Sequence, residues 1–215
     1  IGNLAASRDE SYKVLIDELQ KKHHQIIREI LPLEKHEESI EVCDSLFNSL
    51  RGIAQGVCLL GELSPASLDA IQGFGELWST KILATKLASI GIAVKWMDSR
   101  EIIRTVEKSG KNVVDIQKTY FKVNKMVEDN AITQLFVVPG FIASDKLGRT
   151  TTLGRGGSDY SASLIGMAVD AESIEIWTDV DGVRTADPRK VKNAKKFIEN
   201  GNKVRITVKF RGREM

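Results

Sequence analysis

Apolar residues recur at helical spacing through the first ninety residues of the chain. Between residues 14 and 30 the apolar residues fall on one face of a helix, and the pattern stops at Pro32, which cannot continue a helix. A second pattern of the same kind covers residues 36 to about 60. A third begins at Ser64-Pro65, where a capping serine precedes a proline suited to the first helical turn. We therefore predict a helix-rich N-terminal part.

The third helical pattern contains the sequence Gly73-Phe74-Gly75. Two glycines so close together weaken a helix, so we predict a pause here and a resumed helix that starts at Glu76 and ends at Gly91. An acid just inside a helix start is a common and modest stabiliser of the helix dipole. That effect explains Glu76 without any functional role.

Beyond residue 92 the pattern changes to short apolar runs separated by helical ones. The predicted strands are residues 93–97, 134–138 and 173–177, and the predicted helices are 99–106 (a short helix or turn), 115–129 and 160–169. Strands separated by helices favour parallel pairing, so the predicted fold is α/β, with a mainly parallel sheet flanked by helices. Ligands of such sheets bind beyond the carboxyl ends of the strands.

Composition is that of an ordinary globular protein. The 215 residues are 42% hydrophobic and 28% charged, with a net charge of +2, and no apolar run approaches the roughly 18 residues of a membrane span. We therefore expect a cytoplasmic protein with no membrane contact. Cys43 and Cys58 lie in no metal-binding or redox motif, so we expect free thiols and no resident metal.

The charge is unevenly distributed along the chain. Residues 192–215 contain eight Lys or Arg and two Glu, a net charge of +6, which leaves −4 for the other 191 residues. Val204, Ile206 and Val208 alternate there with polar or basic residues, so we predict a short strand with a basic face. Such a face could contact RNA phosphates, or the strand could simply pack on the edge of the main sheet.

The sequence GRTTTLGRGGSD, residues 148–159, is the strongest chemical signal in the chain. It follows the predicted strand 134–138 and runs into the predicted helix 160–169. Four glycines, three threonines, two arginines and one aspartate meet in it, more than a plain connection needs. A glycine-rich turn before a helix directs backbone N–H groups and the positive end of the helix at an anion. We therefore predict a phosphate or carboxylate site.

Extended to GRTTTLGRGGSDYSA, this stretch resembles the signature of the aspartokinases, within the amino-acid kinase family. Two other segments agree with that family in the same order: GFGEL at 73–77 and WTDVDGVRTADPR at 177–189. Three long motifs are far more specific than one glycine pattern. The resemblance covers residues 1 to about 191 and implies an amino-acid-kinase fold. The family's opening motif, KFGGTS, which carries its phosphate-binding lysine, does not occur in the 215 residues.

The resemblance also implies roles for single residues. The residue that matches Asp159 is catalytic in aspartokinases, the one that matches Arg155 binds the aspartate, and the one that matches Glu76 binds its amino group. The predicted substrate site is completed by Thr151, Gly156, Gly157 and Ser158. An arginine can hold a carboxylate bidentately. A carboxylate nucleophile is already anionic and needs no strong general base, which agrees with the lack of a histidine in the stretch.

The third motif is, by the same resemblance, the nucleotide site. The predicted nucleotide-binding residues are Thr178, Asp179, Arg184, Asp187 and Arg189. Plain turn chemistry accounts for the Asp187-Pro188 pair but not for Arg189. The expected nucleotide is ATP, bound together with Mg²⁺.

The implied reaction moves the γ-phosphoryl group of ATP to the side-chain carboxylate of L-aspartate. The product is 4-phospho-L-aspartate, at the start of lysine, threonine and methionine synthesis. Three alternatives stay open: a module that binds aspartate or another anion without turnover, a kinase of another amino acid such as glutamate or acetylglutamate, and an RNA contact made by the basic tail.

Two further expectations concern organisation. Residues 192–215 resemble the start of the C-terminal domain of bacterial translation initiation factor three, so we predict a boundary between a 1–191 catalytic part and a 192–215 tail. The strands that carry the opening motif in aspartokinases are absent from the sequence. A sheet without them has an exposed edge, so we expect a homo-oligomer.

Overall fold

The computed structural model describes residues 1–178 and the backbone of residues 204–208. The helices are α1 (Gly2–Ala6), α2 (Ser11–Ile30), α3 (His36–Leu60), α4 (Pro65–Ser89), α5 (Ser99–Ile102), α6 (Ile116–Glu128) and α7 (Gly157–Ala168). The strands are β1 (Val94–Trp96), β2 (Thr105–Lys108), β3 (Lys111–Val114), β4 (Leu135–Val137), β5 (Ile142–Ser144), β6 (Thr150–Thr152), β7 (Ile174–Thr178) and β8 (Val204–Val208). Among these residues, no helix combines the length and the apolar character that crossing a membrane requires.

The predicted helix-rich N-terminal part is confirmed. α3 covers the residues that its apolar pattern indicates. α4 begins at Pro65, and the backbone N–H of Ser67 donates to the capping Ser64 Oγ at 3.1 Å. The helices bury a common core in which the rings of Phe47 and Trp78 stack with their centroids 4.1 Å apart.

The predicted pause at Gly73-Phe74-Gly75 is wrong, because α4 runs unbroken through it. Gly73 is buried, and a Cβ atom there would lie 3.2 Å from the Thr150 methyl group and 3.3 Å from a methyl group of Ile142. The missing side chain therefore lets β5 and β6 approach the helix closely, and it does not end the helix. Glu76 consequently lies in mid-helix, where a helix-dipole explanation no longer applies.

One strand pair is parallel, as predicted. β1 and β4 pair in register from Val94 opposite Leu135 to Trp96 opposite Val137. The hairpins β2–β3 and β5–β6 are antiparallel additions that the apolar pattern does not reveal. Their strands are only three or four residues long, too short to show a sustained alternation of apolar and polar residues.

The strand predicted in the basic tail is present as β8. It pairs antiparallel with β7, with Ile206 opposite Ile176 and Val208 opposite Ile174. This pairing differs from the parallel pairing predicted for β7 and agrees with the packing alternative for the tail. The other residues of 192–215 lie outside the described part of the chain.

The parallel pair places two connecting segments at one edge of the sheet. Residues 98–100 follow the carboxyl end of β1, and residues 138–141 follow that of β4. Ser99, in the first segment, donates from Oγ to the carbonyl oxygen of Ile142 at 2.9 Å, and Ile142 is the first residue of β5 directly after the second segment. This edge, where ligands of α/β sheets bind, leads directly into the β5–β6 hairpin and α7.

Candidate active site

β6 consists of three threonines, and the side chain of the first, Thr150, accepts a hydrogen bond from a residue that follows β1. Arg100 Nη1 donates to Thr150 Oγ1 at 3.3 Å. The guanidinium also grips Asp98 bidentately, with Nε 2.9 Å from Oδ1 and Nη2 2.5 Å from Oδ2. Because Asp98 fixes the plane of the guanidinium group, Arg100 is already oriented to donate to Thr150.

The other two threonines of β6 also have partners. The hydroxyl of Thr151 is buried and lies 2.9 Å from the hydroxyl of Thr105. Thr152 donates twice to Asp69 of α4, from its backbone N–H at 3.2 Å and from its hydroxyl at 2.8 Å. We call Asp69, Arg100, Thr105 and the three threonines the hairpin framework. The side chain of Thr151 belongs to this framework, so its contact with substrate stays a prediction.

The turn between β5 and β6 is closed by Asp145. One carboxylate oxygen accepts hydrogen bonds from the backbone N–H groups of Leu147 and Arg149, both at 2.9 Å. The other accepts a hydrogen bond from Arg149 Nε at 2.7 Å. Burial acts to raise the pKa of Asp145, but these hydrogen bonds outweigh it and hold the pKa below its usual value. Arg149, one of the two arginines in the 148–159 stretch, is therefore a structural residue.

Residues 153–157, which we call the glycine loop, connect β6 to α7. Gly154 and Gly156 have φ angles of 73° and 70°, in the left-handed region that glycine tolerates best. A Cβ atom at Gly157 would lie 2.8 Å from the Phe141 ring. A Cβ atom at Gly140 would lie 3.0 Å from Ser158 Cα. The start of α7 is thus packed directly against the segment that leaves β4.

Phe141 is a residue that the motifs did not single out. It has a φ of 69°, which is unusual for a bulky side chain. Its backbone N–H donates to Ser161 Oγ at 3.0 Å, and this hydroxyl donates to the carbonyl oxygen of Gly157 at 2.8 Å. Strained backbone of this kind is typical of functional sites, where the surrounding contacts hold it in place.

Three predicted site residues at the start of α7 are exposed and unpaired. The side chains of Arg155, Ser158 and Asp159 make no hydrogen bond or ion pair with any described residue. They surround the N-terminus of a twelve-residue helix whose N-cap is Gly156. The unused N–H groups and positive helix end favour an anion at this place.

Glu76 is the other predicted substrate residue. Its side chain is half-buried and has no hydrogen-bond or ion-pair partner in the described part of the chain. Burial raises the pKa of this carboxyl group. One face of α4 carries Asp69, Gly73 and Glu76, at spacings of four and three residues. Asp69 accepts from Thr152 of β6, and Gly73 packs against Thr150 of β6. Glu76 therefore lies on the helix face that meets the hairpin.

The structure joins these residues only in part. No hydrogen bond or ion pair among the described residues links Glu76 directly to Arg155 or Asp159. Asp98 and Arg100 were not predicted as site residues. Their position just after the carboxyl end of β1 is the signal that would have identified them.

The predicted nucleotide residues fall at the limit of the described chain. Thr178 is the last residue of β7. Asp179, Arg184, Asp187 and Arg189 lie outside the described residues. Their nucleotide-binding role stays a prediction.

A magnesium ion bound with a nucleotide would be compatible with the site. No cluster of three or more His, Cys, Asp or Glu that could hold a metal by itself occurs in the described residues. Magnesium in nucleotide sites needs only one or two carboxylates, because phosphates and waters supply the other ligands. The unpaired carboxylate of Asp159 fits that requirement.

The sequence matches a known protein family over most of its length. A profile described as "Amino acid kinase family" matches residues 8–202. The chain belongs to this family. The match runs eleven residues past the boundary predicted at residue 191, which stays a prediction, and the resemblance of the tail to a translation factor gains no support.

Aspartokinases are among the curated proteins that the chain resembles. The chain is 36% identical to the bifunctional aspartokinase/homoserine dehydrogenase 1 of Zea mays over 195 residues, 89% of this chain and 21% of that protein. It is also 36% identical to the lysine-sensitive aspartokinase 3 of Escherichia coli over 159 residues, 74% of this chain and 35% of that protein. The chain therefore spans only about a fifth to a third of these relatives.

Solved aspartokinase structures share the fold. Escherichia coli aspartokinase III in complex with lysine and aspartate superposes with a TM-score of 0.74 at 31% identity, over 89% of this chain and 42% of that one. The same enzyme in complex with aspartate and ADP gives a TM-score of 0.73 at 32% identity, over 87% and 42%. The predicted amino-acid-kinase-like α/β fold is confirmed by these neighbours.

Proposed function

We propose that this chain is part of the catalytic domain of an aspartokinase. The reaction is transfer of the γ-phosphoryl group of ATP to the side-chain carboxylate of L-aspartate, which gives 4-phospho-L-aspartate and ADP. The observation that carries the proposal is the unpaired set of Arg155, Ser158 and Asp159 around the N-terminus of α7.

Each of these groups has a task in a reaction between two anions. The helix N-terminus and the guanidinium of Arg155 would hold anionic oxygens, and a bidentate guanidinium grip would orient a substrate carboxylate. Phosphoryl transfer depends mainly on positioning and on stabilising negative charge, both of which fixed donors provide. The close packing of Gly140 and Gly157 holds these donors in place before substrate binds.

Glu76 would select an amino acid over other carboxylates. A half-buried carboxylate without a partner is unfavourable, and a substrate ammonium group would relieve that cost. Binding of the ammonium group would therefore lower the pKa of Glu76. Specificity for aspartate would then come from an ammonium at Glu76 and a carboxylate at Arg155.

Magnesium would neutralise the charge that develops on the transferred phosphate. Asp159 is the described residue that would help to hold the ion or to orient the phosphate beside it. Thr178, Asp179, Arg184, Asp187 and Arg189 would bind the nucleotide. The known complex of Escherichia coli aspartokinase III with aspartate and ADP supports both halves of this proposal.

We also propose that the protein acts as a homo-oligomer. β4 pairs only with β1 among the described strands, so one of its edges is open to another element. Light scattering tests this, and a monomer at all concentrations would contradict it. RNA contact by the tail gains no support and forms no part of the proposal.

The deciding experiment is formation of an acyl phosphate from L-aspartate and Mg-ATP, trapped with hydroxylamine. We expect hydroxamate that requires both substrates and that falls about a thousandfold in Asp159→Asn. Asp170→Asn, at an exposed aspartate just after α7, is the matched control and should keep activity. Hydroxamate formed equally well by both variants would contradict the proposal.

Two further outcomes separate the alternatives. Turnover of L-glutamate or N-acetylglutamate in preference to aspartate would identify a different amino-acid kinase. Calorimetric binding of L-aspartate that is lost in Glu76→Gln, without any hydroxamate, would support a binding module instead.

A further inference from the structure

A pocket of about 210 Å³ lies between α3, α4 and β1, away from the glycine loop. Its wall is mainly apolar and includes Val42, Leu46, Ile82 and Trp96. The side chain of Lys81, which carries an ammonium group, and the ring of Trp78 also line it. None of these residues takes part in the proposed phosphoryl transfer.

Lys81 has no anionic partner. Its Nζ lies 3.6 Å from the centroid of the Trp96 ring, a cation–π contact, and it makes no hydrogen bond or ion pair with any described residue. Asp98, the acid that acts on it electrostatically, is already held by Arg100 at 2.5 Å. Burial lowers the pKa of Lys81, as expected of an ammonium group that has lost water without gaining a carboxylate.

Trp78 is also unsatisfied. The residue is only 5% exposed, and its Nε1–H is the one fully buried side-chain polar atom without a hydrogen-bond partner among the described residues. Because this atom has almost no accessible surface, a ligand in the pocket meets the apolar part of the Trp78 ring and not its N–H.

We propose that this pocket binds a small organic carboxylate with an apolar body. Its carboxylate would pair with Lys81, and its apolar body would lie against Val42, Leu46, Ile82 and the ring of Trp78. The carboxylate of Glu38, at the same pocket, is exposed and already paired with Lys35 at 2.9 Å, so it leaves the positive charge of Lys81 uncompensated. We therefore expect the ligand to carry a single negative charge.

The volume limits the size of the ligand. Each molecule of liquid water occupies about 30 Å³, so a pocket of about 210 Å³ has the volume of roughly seven water molecules. This is below the usual range for drug-sized ligands. A branched six-carbon acid such as 4-methylpentanoate is a suitable probe, and its uncharged amide has nearly the same shape.

The test is calorimetric titration of the chain with 4-methylpentanoate and with 4-methylpentanamide. We expect the acid to bind roughly tenfold more tightly than the amide, since only the acid gains a charge-assisted hydrogen bond. Lys81→Met, which keeps the aliphatic stem, should weaken the acid by about the same factor and leave the amide unchanged. Lys86→Met, on the same helix but outside the pocket, is the matched control and should bind like the parent chain.

A second measurement tests the place of binding. The indole N–H resonance of Trp78, assigned by its loss in Trp78→Phe, should shift on addition of the acid, because the ring of Trp78 lines the pocket. Equal binding of acid and amide would overturn the proposal. Acid binding that Lys81→Met leaves unchanged, or no binding at tens of millimolar of the acid, would overturn it as well.

Discussion

Two neighbouring regions of the molecule use their polar side chains in opposite ways. In the hairpin framework every threonine hydroxyl has a partner, and the partners come from α4, from α5 and from β2. A few residues further along, Arg155, Ser158 and Asp159 have no partner among the described residues. The two regions share one glycine-rich stretch of sequence, so composition alone does not separate them.

The difference indicates which polar residues hold the fold and which are free to bind a ligand. A paired side chain contributes to stability, and its loss leaves a partner unsatisfied. An unpaired, preorganised side chain contributes little to stability, and its loss removes a contact that forms only with substrate. Substitutions in the two regions should therefore affect different measurements.

The largest expected effect separates the two arginines of the stretch. Arg155→Lys should lower kcat/KM for aspartate by about tenfold to a hundredfold, because lysine cannot grip a carboxylate bidentately. The melting temperature should not change. Arg149→Lys is the control: its Nε pairs with Asp145, so it should lower stability slightly and leave kcat/KM intact. Equal kinetic losses in both variants would remove the distinction.

The next effect compares two glycines. Gly157→Ala should cost about 1–3 kcal/mol of folding free energy, because the new methyl group would meet the Phe141 ring at 2.8 Å. Gly75→Ala, at an exposed mid-helix position with nothing within 4 Å, should instead stabilise by about 0.5–1 kcal/mol. Urea unfolding measures the free energy of unfolding of both variants. Changes of the same sign would show that close packing at Gly157 does not explain the effect of the substitution.

A smaller loss is expected in the framework. Asp69→Asn should cost about 1–2 kcal/mol of stability, since an amide oxygen accepts only part of what the carboxylate accepts from Thr152. Asp129→Asn, at an exposed aspartate just after the last residue of α6, is the matched control and should change stability little. If kcat/KM fell in Asp69→Asn while stability did not, Asp69 would belong to the substrate site and not to the framework.

The smallest effect is a gain. Glu76→Gln should raise stability at pH 7 by less than about 1 kcal/mol, because it removes a half-buried carboxylate that has no partner. The pKa of Glu76 is raised in the folded state, so its ionisation opposes folding as the pH rises above the ordinary value near 4.5. The gain should therefore disappear near pH 4, where the carboxyl group is protonated in both states.

That gain should be accompanied by a loss of function. Calorimetry should show weaker binding of L-aspartate to Glu76→Gln at pH 7. A variant that is more stable and still binds aspartate would show that Glu76 has no substrate role.

The long helices and the parallel strands could be predicted from the sequence because their signals are local. Ser64 and Pro65 mark the start of α4 directly. The hairpins could not be predicted, because Thr150–Thr152 is held by side chains that are distant in the chain, such as Asp69. Gly73 misleads for the same reason: its role is to admit β6, and only tertiary contact shows this.

The candidate site was predictable as a list of residues but not as an arrangement. The motifs identify Arg155, Asp159 and Glu76. They do not show that Arg149 is held by Asp145, or that the hydroxyl of Thr151 faces Thr105. Pairing depends on folded geometry, so the distinction between binding and structural residues became visible only in the structure.

The number of residues in α4 fixes the distance between Asp69 and Glu76. Asp69 and Glu76 are seven residues apart, about two turns or roughly 10 Å along the axis, and both lie on the face that meets β6. One residue inserted between them would rotate Glu76 by about 100° away from the hairpin while Asp69 kept its bond to Thr152. The same insertion would rotate Leu77 and Trp78 out of the core, so the number of residues in this helical segment is fixed by the fold and by the ammonium site together, and it constrains any transfer of the site to another scaffold.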